Sequence, residues 1–240
     1  MAMIYEPKGR AREYAALSCN VYRGCDHNCS YCYAPSATFT SRDAFAVPRS
    51  RGDAFLTCVE RESFKLGKAG SDEKVLLSFT CDPYQSFDVE CGDTRRVIKM
   101  MKRNGMSVQV LTKGGTRAIR DIDLFGPGDA FATTMTCLDD SESIKFEPGA
   151  ALPDDRIRAI KEFHAAGIET WVSLEPVLDP AVSLELIKVL APIVDLFKVG
   201  TLNYSKNNTD WGTFGRSARA LLNQLGKAHY IKKDLLKHMS

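Results

Sequence analysis

The sequence predicts an α/β fold, an incomplete (β/α)6 TIM-like barrel with a parallel sheet in a single domain. Short runs of β-branched and apolar residues alternate with amphipathic stretches along the 240 residues. This alternation is typical of βαβ units. Six units fall short of the eight in a complete barrel. A doubly wound open sheet is the alternative that the same pattern allows.

Six segments have the composition of strands, at residues 16–22, 75–80, 106–112, 130–137, 169–175 and 196–202. In parallel α/β folds the chemistry gathers at the carboxyl ends of the strands. Here the first strand runs into a cysteine-rich loop. Polar or reactive residues end the other five, and we expect them to share one mouth: Cys81 and Asp82, Lys113, Thr136, Glu175 and Asn203.

Helices are predicted near residues 93–104, 116–125, 154–166, 182–191 and 213–226. The third is the clearest, because Ile157, Ile160 and Phe163 fall on one face and Gly167 can end it. We expect a partial barrel with an N-terminal extension over residues 1–205. A C-terminal helix and a basic tail, packed on the same domain, are expected over residues 206–240.

Composition indicates an ordinary globular protein, with 44% hydrophobic and 26% charged residues. No apolar run approaches the roughly 20 residues of a membrane span. The first residues, MAMIYEPKGRAREYAAL, lack the apolar core of a signal peptide. We therefore expect a cytoplasmic protein, in which structural disulfides are the weaker explanation for eight cysteines. Most of the five scattered ones (Cys19, Cys58, Cys81, Cys91 and Cys137) are interpreted as small buried hydrophobes.

The net charge of +2 favours no class of partner by itself. Its distribution is uneven, because residues 95–120 hold eight Lys or Arg and no acid, and residues 206–237 hold seven basic residues against two acids. Solvated helix faces explain both stretches. A surface that faces phosphates is the alternative.

The segment GCDHNCSYCYAP contains Cys25, Cys29 and Cys32 in a C-x₃-C-x₂-C pattern. Structural zinc requires four ligands, usually as two close pairs, and His27 would have to turn back within a short loop. A [4Fe–4S] cluster suits the spacing better, because a short loop can reach three of its four irons with thiolates. The pattern favours such a cluster, with zinc as the alternative.

The pattern C-x₃-C-x-aromatic-C, with Tyr31 as the aromatic, resembles the signature of the radical S-adenosylmethionine superfamily. The resemblance implies that S-adenosylmethionine chelates the open iron through its amino and carboxylate groups. One electron from the reduced cluster then cleaves the S–C5′ bond. The resulting 5′-deoxyadenosyl radical abstracts a hydrogen atom from the substrate. An external electron donor such as flavodoxin or ferredoxin is also implied.

A finer resemblance covers most of the chain, roughly residues 19–203. The segments NVYRGCDHNCSYCYA, TCDPYQ, VLTKGGTRAIRDIDL and EPGAALPDDRIRAIKEFHAAGIE resemble the spore photoproduct lyase-like branch. Members of that branch are often described as DNA repair photolyases. The resemblance implies a lyase that acts on a base of a nucleic acid. A peptide or small-molecule substrate is the second hypothesis, and a non-enzymatic iron–sulfur or zinc module is the third.

The resemblance also places the S-adenosylmethionine contacts at Asp82, Lys113 and Thr136. Lys113 offers a charge and three donors for the ligand's carboxylate. Asp82 can accept from ribose hydroxyls or from the ammonium group, and Thr136 offers a hydroxyl at the mouth of a strand. A salt bridge that joins two strand ends is the alternative for Asp82 and Lys113.

Two tyrosines, Tyr31 and Tyr33, flank Cys32. The resemblance assigns the matching tyrosines of the lyase to a hydrogen-atom relay. Packing around the cluster is the alternative for both.

Cys81 is a candidate hydrogen-atom donor, because the lyase uses a cysteine in this stretch. When the segments are aligned on Asp82, the cysteine of the lyase falls on Phe79, two positions earlier. Two residues along a strand preserve the face, so Cys81 can point the same way. Space filling near the ligand is the alternative. Glu175 and Asn203, which end the fifth and sixth strands, are the predicted substrate contacts.

Overall fold

The structure is a computed structural model that describes residues 2–202 and 208–240. Ten strands form within these residues: β1 (Ile4–Tyr5), β2 (Leu17–Cys19), β3 (Tyr22–Arg23), β4 (Arg49–Ser50), β5 (Val75–Leu77), β6 (Val108–Thr112), β7 (Ala130–Thr134), β8 (Glu169–Leu174), β9 (Leu196–Val199) and β10 (Ala228–Ile231). The main sheet has the order β1-β2-β5-β6-β7-β8-β9-β10. Strands β3 and β4 form a separate antiparallel pair.

Every pairing in the main sheet is parallel except that of β1 with β2. All six predicted strands form, and their parallel order confirms the predicted α/β class. Strands β1, β3, β4 and β10 were not predicted. Each has only two to four residues, and so short a segment carries almost no periodic signal.

The α-helices in the described residues are α1 (Ala34–Ala37), α2 (Arg42–Phe45), α3 (Gly52–Lys68), α4 (Ser86–Cys91), α5 (Asp93–Arg103), α6 (Asp140–Phe146), α7 (Pro153–Ala165), α8 (Pro180–Leu190), α9 (Trp211–Gln224) and α10 (Lys233–Leu236). Helices α5, α7, α8 and α9 match predictions. The segment predicted as a helix at 116–125 is a 3₁₀ helix, Gly115–Leu124, the tighter form that is frequent in connectors. Helix α3 was missed, although its buried Phe55, Leu56 and Val59 follow helical spacing.

The two faces of the sheet pack differently, as the alternation of side chains along a strand requires. In β5, Val75 and Leu77 belong to the large core, to which the helices also contribute. Leu76, between them, belongs to a smaller inner cluster with Trp171 of β8 and Ala132 of β7. The inner face therefore surrounds a small interior, and the helices cover the outer face.

The N-terminal segment and the C-terminal strand are joined to each other. Arg10, in the 3₁₀ helix Gly9–Glu13, forms an ion pair with Asp234. The carboxylate of Glu13 accepts a hydrogen bond from the Tyr230 hydroxyl at 3.0 Å. This junction places the following residue, Tyr14, beside the inner cluster.

The predicted boundary at residues 205 and 206 lies outside the described residues, and so does the predicted substrate contact Asn203. Among the helices that the structure describes, none combines the length and apolar character needed to cross a membrane.

Candidate active site

The segment GCDHNCSYCYAP, residues 24–35, forms the cysteine loop. A cavity of about 510 Å³ opens where this loop meets the carboxyl ends of β5, β6, β7 and β8. Most of the predicted site residues line it together: Cys25, Cys29, Tyr31, Cys32, Tyr33, Cys81, Asp82, Lys113 and Glu175. The parallel sheet brings them together because the ends of neighbouring parallel strands meet at one edge. The polar residues predicted to share a mouth therefore do so, apart from Thr136, while Asn203 lies outside the described residues.

The cysteine loop begins directly after β3, and the chain pairs with β3 again at β4. Gly24, with φ of +81°, allows the turn, and a Cβ at this position would lie 2.5 Å from the carbonyl oxygen of Phe45. The carboxylate of Asp26 accepts hydrogen bonds from Ser86 and from the backbone N–H of Phe87 at 2.9 Å, in the first turn of α4. The loop is thus attached to the barrel on the side of β5.

The three cysteines of the loop are free thiols in this structure. Burial raises the pKa of the Cys29 thiol to about 11, so metal binding has to release its proton. Within residues 2–202 and 208–240, no group of three or more His, Cys, Asp or Glu side chains is arranged to hold a metal ion. The three thiols are instead distributed around the lining of the cavity.

Tyr31 is linked to a buried ion pair. Its hydroxyl donates to a carboxylate oxygen of Glu147, and the other oxygen lies 2.5 Å from Nη2 of Arg156. The side chains of Glu147 and Arg156 are 0% and 1% exposed. Burial opposes ionisation, but Arg156 and Lys113 outweigh it and hold the pKa of Glu147 below its usual value. These contacts give Arg156 a structural role inside the fold.

Asp82 joins the end of β5 to the end of β6. Its carboxylate accepts from the Thr112 hydroxyl at 2.5 Å, from the Lys113 N–H at 2.7 Å and from the Tyr84 N–H at 2.9 Å. A contact of Asp82 with S-adenosylmethionine stays a prediction. The observed geometry gives this side chain a positioning role beside Lys113.

The ammonium group of Lys113 lies 5.9 Å from the centre of the Tyr31 ring. No carboxylate in the described residues forms an ion pair with it, so the alternative of a salt bridge to Asp82 is not observed. Burial alone would lower the pKa of Lys113, but Cys29, Glu147 and Asp82 raise it above its usual value. The cavity therefore contains a charged ammonium group beside the cysteine loop.

His27, which belongs to the cysteine loop, is buried between Asp82 and Arg117. Its Nδ1 lies 3.4 Å from Oδ2 of Asp82, and its Nε2 lies 3.2 Å from Nη2 of Arg117. Burial lowers the pKa of His27 to about 4, although Asp82 opposes the shift. The ring is consequently neutral near pH 7.

Thr136 does not line the cavity. It is 1% exposed, and its hydroxyl lies 3.4 Å from Sγ of Cys137. Thr134, the last residue of β7, lines the cavity instead. The role predicted for Thr136 is untested, and Thr134 is a cavity residue that the sequence analysis missed.

Glu175 lies in a polar wall of the cavity that includes two unpredicted residues, Tyr14 and Lys232. Its Oε2 accepts from the Tyr14 hydroxyl at 2.7 Å and forms an ion pair with Lys232. The Tyr14 oxygen also lies 2.9 Å from Oγ of Ser173. The side chains of Lys232 and Glu175 are only 4% and 11% exposed. No sequence motif marks Tyr14 or Lys232, because each becomes a neighbour of Glu175 only through the fold.

Solved structures of other proteins resemble the fold of this chain. Spore photoproduct lyase with bound AdoMet and dinucleoside spore photoproduct gives a TM-score of 0.74 over 95% of this chain and 78% of the lyase chain, at 15% identity. The chain shares its fold with spore photoproduct lyase. SuiB of Streptococcus suis bound to S-adenosylmethionine gives 0.62 over 89% of this chain and 45% of SuiB, at 12% identity. The predicted partial barrel is therefore confirmed.

Relatives found by sequence match a smaller share of this chain than the solved structures do. No family model matches the chain. An uncharacterized protein of Mycobacterium tuberculosis is 28% identical over 172 residues, which are 66% of this chain and 48% of that protein. An uncharacterized protein of Methanocaldococcus jannaschii is 23% identical over 170 residues, which are 70% of this chain and 62% of that protein. The chain thus spans about half the length of the mycobacterial relative that it matches.

Most cations of the basic stretch 95–120 are paired with acidic side chains of the folded chain. Five of its eight cations form ion pairs with carboxylates of this chain, namely Arg95, Arg96, Lys102, Arg103 and Arg120. Cations that pair internally are less available to phosphates. The predicted alternative of a phosphate-facing surface therefore gains no support from most of this stretch.

Proposed function

We propose that this chain is a radical S-adenosylmethionine enzyme with a [4Fe–4S] cluster. The observation that carries the proposal is a single cavity lined by the three loop cysteines and by Lys113, in a fold shared with spore photoproduct lyase. At 15% identity the likeness establishes the fold. The activity rests on the residues that line the cavity.

The donor set fits the cluster. Cys25, Cys29 and Cys32 offer three thiols to one cavity, and thiolates are the usual ligands of iron–sulfur clusters. Each thiolate would hold a different iron, which leaves the fourth iron for S-adenosylmethionine. When bound, the cluster supplies the electron that cleaves the S–C5′ bond of that ligand to yield a 5′-deoxyadenosyl radical. The surrounding residues bind, orient and exclude water.

Lys113 is proposed to bind the carboxylate of S-adenosylmethionine, because its ammonium group is charged and faces the cavity without a carboxylate partner in the described residues. Asp82 holds the backbone of Lys113 in place. Tyr31, Tyr33 and Cys81 are the proposed hydrogen-atom relay residues. Tyr33, whose hydroxyl donates to the Phe79 carbonyl at 3.1 Å, lies at the exposed side of the cavity.

Anaerobically reconstituted and reduced protein is expected to convert S-adenosylmethionine into 5′-deoxyadenosine and methionine. Lys113→Ala should weaken binding of S-adenosylmethionine by about 1–3 kcal/mol, because the ligand's carboxylate loses a charged partner. Isothermal titration and chromatography of the products measure the two effects. Lys99→Ala, on the exposed side of α5, is the matched control. Absence of 5′-deoxyadenosine under every reducing condition would contradict the proposal that the chain is a radical S-adenosylmethionine enzyme.

The proposed substrate is a base of a nucleic acid, in the single-stranded or mononucleotide form. The lyase that shares the fold holds a dinucleoside spore photoproduct, and a cavity of about 510 Å³ lies within the usual range for small-ligand sites. The internal pairing of the basic stretch 95–120 favours a small substrate over an intact duplex. Lys8 and Arg42 line the cavity and carry positive charge toward the ligand.

Single-stranded oligonucleotides are expected to bind more tightly than duplexes of the same sequence. Binding should weaken between about 50 and about 200 mM salt, because phosphate contacts release counterions. Fluorescence anisotropy at the two salt concentrations measures this, alongside a turnover assay on irradiated DNA. Salt-insensitive or absent binding, with no repair product, would favour the second hypothesis, a peptide or small-molecule substrate.

The reaction also requires an external electron donor, for which flavodoxin or ferredoxin is the proposed class. The chain matches only 48% of its mycobacterial relative. The proposed activity is therefore assigned to the barrel and its cavity, and not to the whole of that relative.

A further inference from the structure

The one-turn helix α2 contacts the backbone of the cysteine loop at several points. At its start, the guanidinium group of Arg42 donates from Nη1 to the carbonyl of Cys29 at 2.7 Å. It also donates from Nη2 to the carbonyls of Ser30 and Cys32, at 3.0 and 3.3 Å. One side chain therefore holds both ends of the turn that carries Cys29 and Cys32.

The other end of α2 contacts the remaining cysteine. The carbonyl of Phe45 accepts a hydrogen bond from the N–H of Cys25 at 2.8 Å. The start of α2 is held by Ser41, whose hydroxyl accepts from the N–H of Ala44 at 3.3 Å. Through Arg42 and Phe45, helix α2 thus forms hydrogen bonds with the backbone of Cys25, Cys29 and Cys32.

Arginine suits this position because its planar group presents several donors in a fixed geometry, whereas lysine presents a compact point charge. An irregular loop has carbonyl groups without partners in secondary structure, and these groups need donors. In the part of the chain that the structure describes, Arg42 forms no ion pair with a carboxylate. Its positive charge therefore remains beside the cysteine loop.

We infer that Arg42 is a positioning residue for the iron–sulfur cluster. Its three hydrogen bonds fix the turn between Cys29 and Cys32 so that both thiolates reach their irons. Its charge raises the reduction potential, because a nearby cation favours the more negative, reduced cluster. This inference rests on the proposed function, and it adds a residue outside the cysteine motif.

The test compares Arg42→Gln and Arg42→Lys with the wild-type chain after anaerobic reconstitution. Both variants should lose iron to a chelator about 10 to 100 times faster, the usual effect of removing a residue that orients metal ligands. The reduction potential should become more negative in Arg42→Gln and stay near the wild-type value in Arg42→Lys, which retains the charge. Arg219→Gln, on the exposed side of α9, should match the wild type in both measurements.

The iron-free proteins are melted in parallel, so that a general loss of folding is recognised. If Arg42→Gln does not fold, Arg42→Lys decides the positioning role. Iron release at the wild-type rate in folded variants would overturn the inference. An unchanged potential in Arg42→Gln would overturn the role of the charge. A wild-type chain that binds no iron would instead contradict the proposed function.

Discussion

Replacing Cys29 with alanine is expected to remove nearly all iron from the chain. Wild-type protein prepared without oxygen should be brown and contain on the order of four irons per chain. Cys25→Ala and Cys32→Ala should have the same effect, because the three thiols line one cavity and the motif provides no fourth cysteine. Iron analysis and the visible absorption spectrum measure the loss.

Cys58→Ala and Cys91→Ala are the matched controls for these three variants. Both residues are free cysteines outside the cavity lining, so both variants should retain the iron of the wild type. A colourless wild-type protein that contains one zinc ion would contradict the prediction of a cluster and revive the zinc alternative.

Replacing Arg156 with methionine is expected to destabilise the iron-free chain by about 3–5 kcal/mol, because the change leaves a buried carboxylate without its cation. Arg156 pairs with Glu147 and donates to the carbonyls of Ala151 and Thr134, at 2.7 and 3.1 Å. Urea denaturation measures the free energy of unfolding. Arg158→Met is the control, because Arg158 lies on the same helix but is 67% exposed. Arg158→Met should lower the free energy of unfolding by at most about 1 kcal/mol.

The cost of Arg156→Met should depend on pH. Arg156 helps to hold the pKa of Glu147 below its ordinary value of 4.5. The resulting stability is present above that value and is lost as the pH falls through the folded-state pKa. The difference between variant and wild type should therefore be largest near neutral pH and shrink below about pH 4.5. A difference that does not change with pH would show that Arg156 acts through packing alone.

The sequence was most informative where a local pattern contains the chemistry. The spacing of Cys25, Cys29 and Cys32 predicted one loop, and these cysteines line one cavity. The placement of Asp82, Lys113 and Glu175 at strand ends predicted that they share a mouth, and they do. Parallel strands make this prediction reliable, because their carboxyl ends lie at one edge whatever the intervening helices are.

Other features were predicted less well, for reasons that differ. Helix α3 had the helical spacing of apolar residues but many charged residues between them, and it was missed. Strand β10 is four residues long and gave no periodic signal. The basic stretch 95–120 contains no acid, and the carboxylates that neutralise it come from other segments, such as Asp88 and Asp129.

The sequence by itself determined the fold class, the cysteine loop and the set of polar strand ends. Only the tertiary structure decided which side chains meet: Tyr31 with Glu147, Glu175 with Tyr14 and Lys232, and Arg42 with the loop carbonyls. The physical reason is that periodicity and spacing report on neighbours along the chain. Contacts across more than a hundred residues, such as that of Tyr31 with Glu147 at a separation of 116, depend instead on how the strands and helices pack.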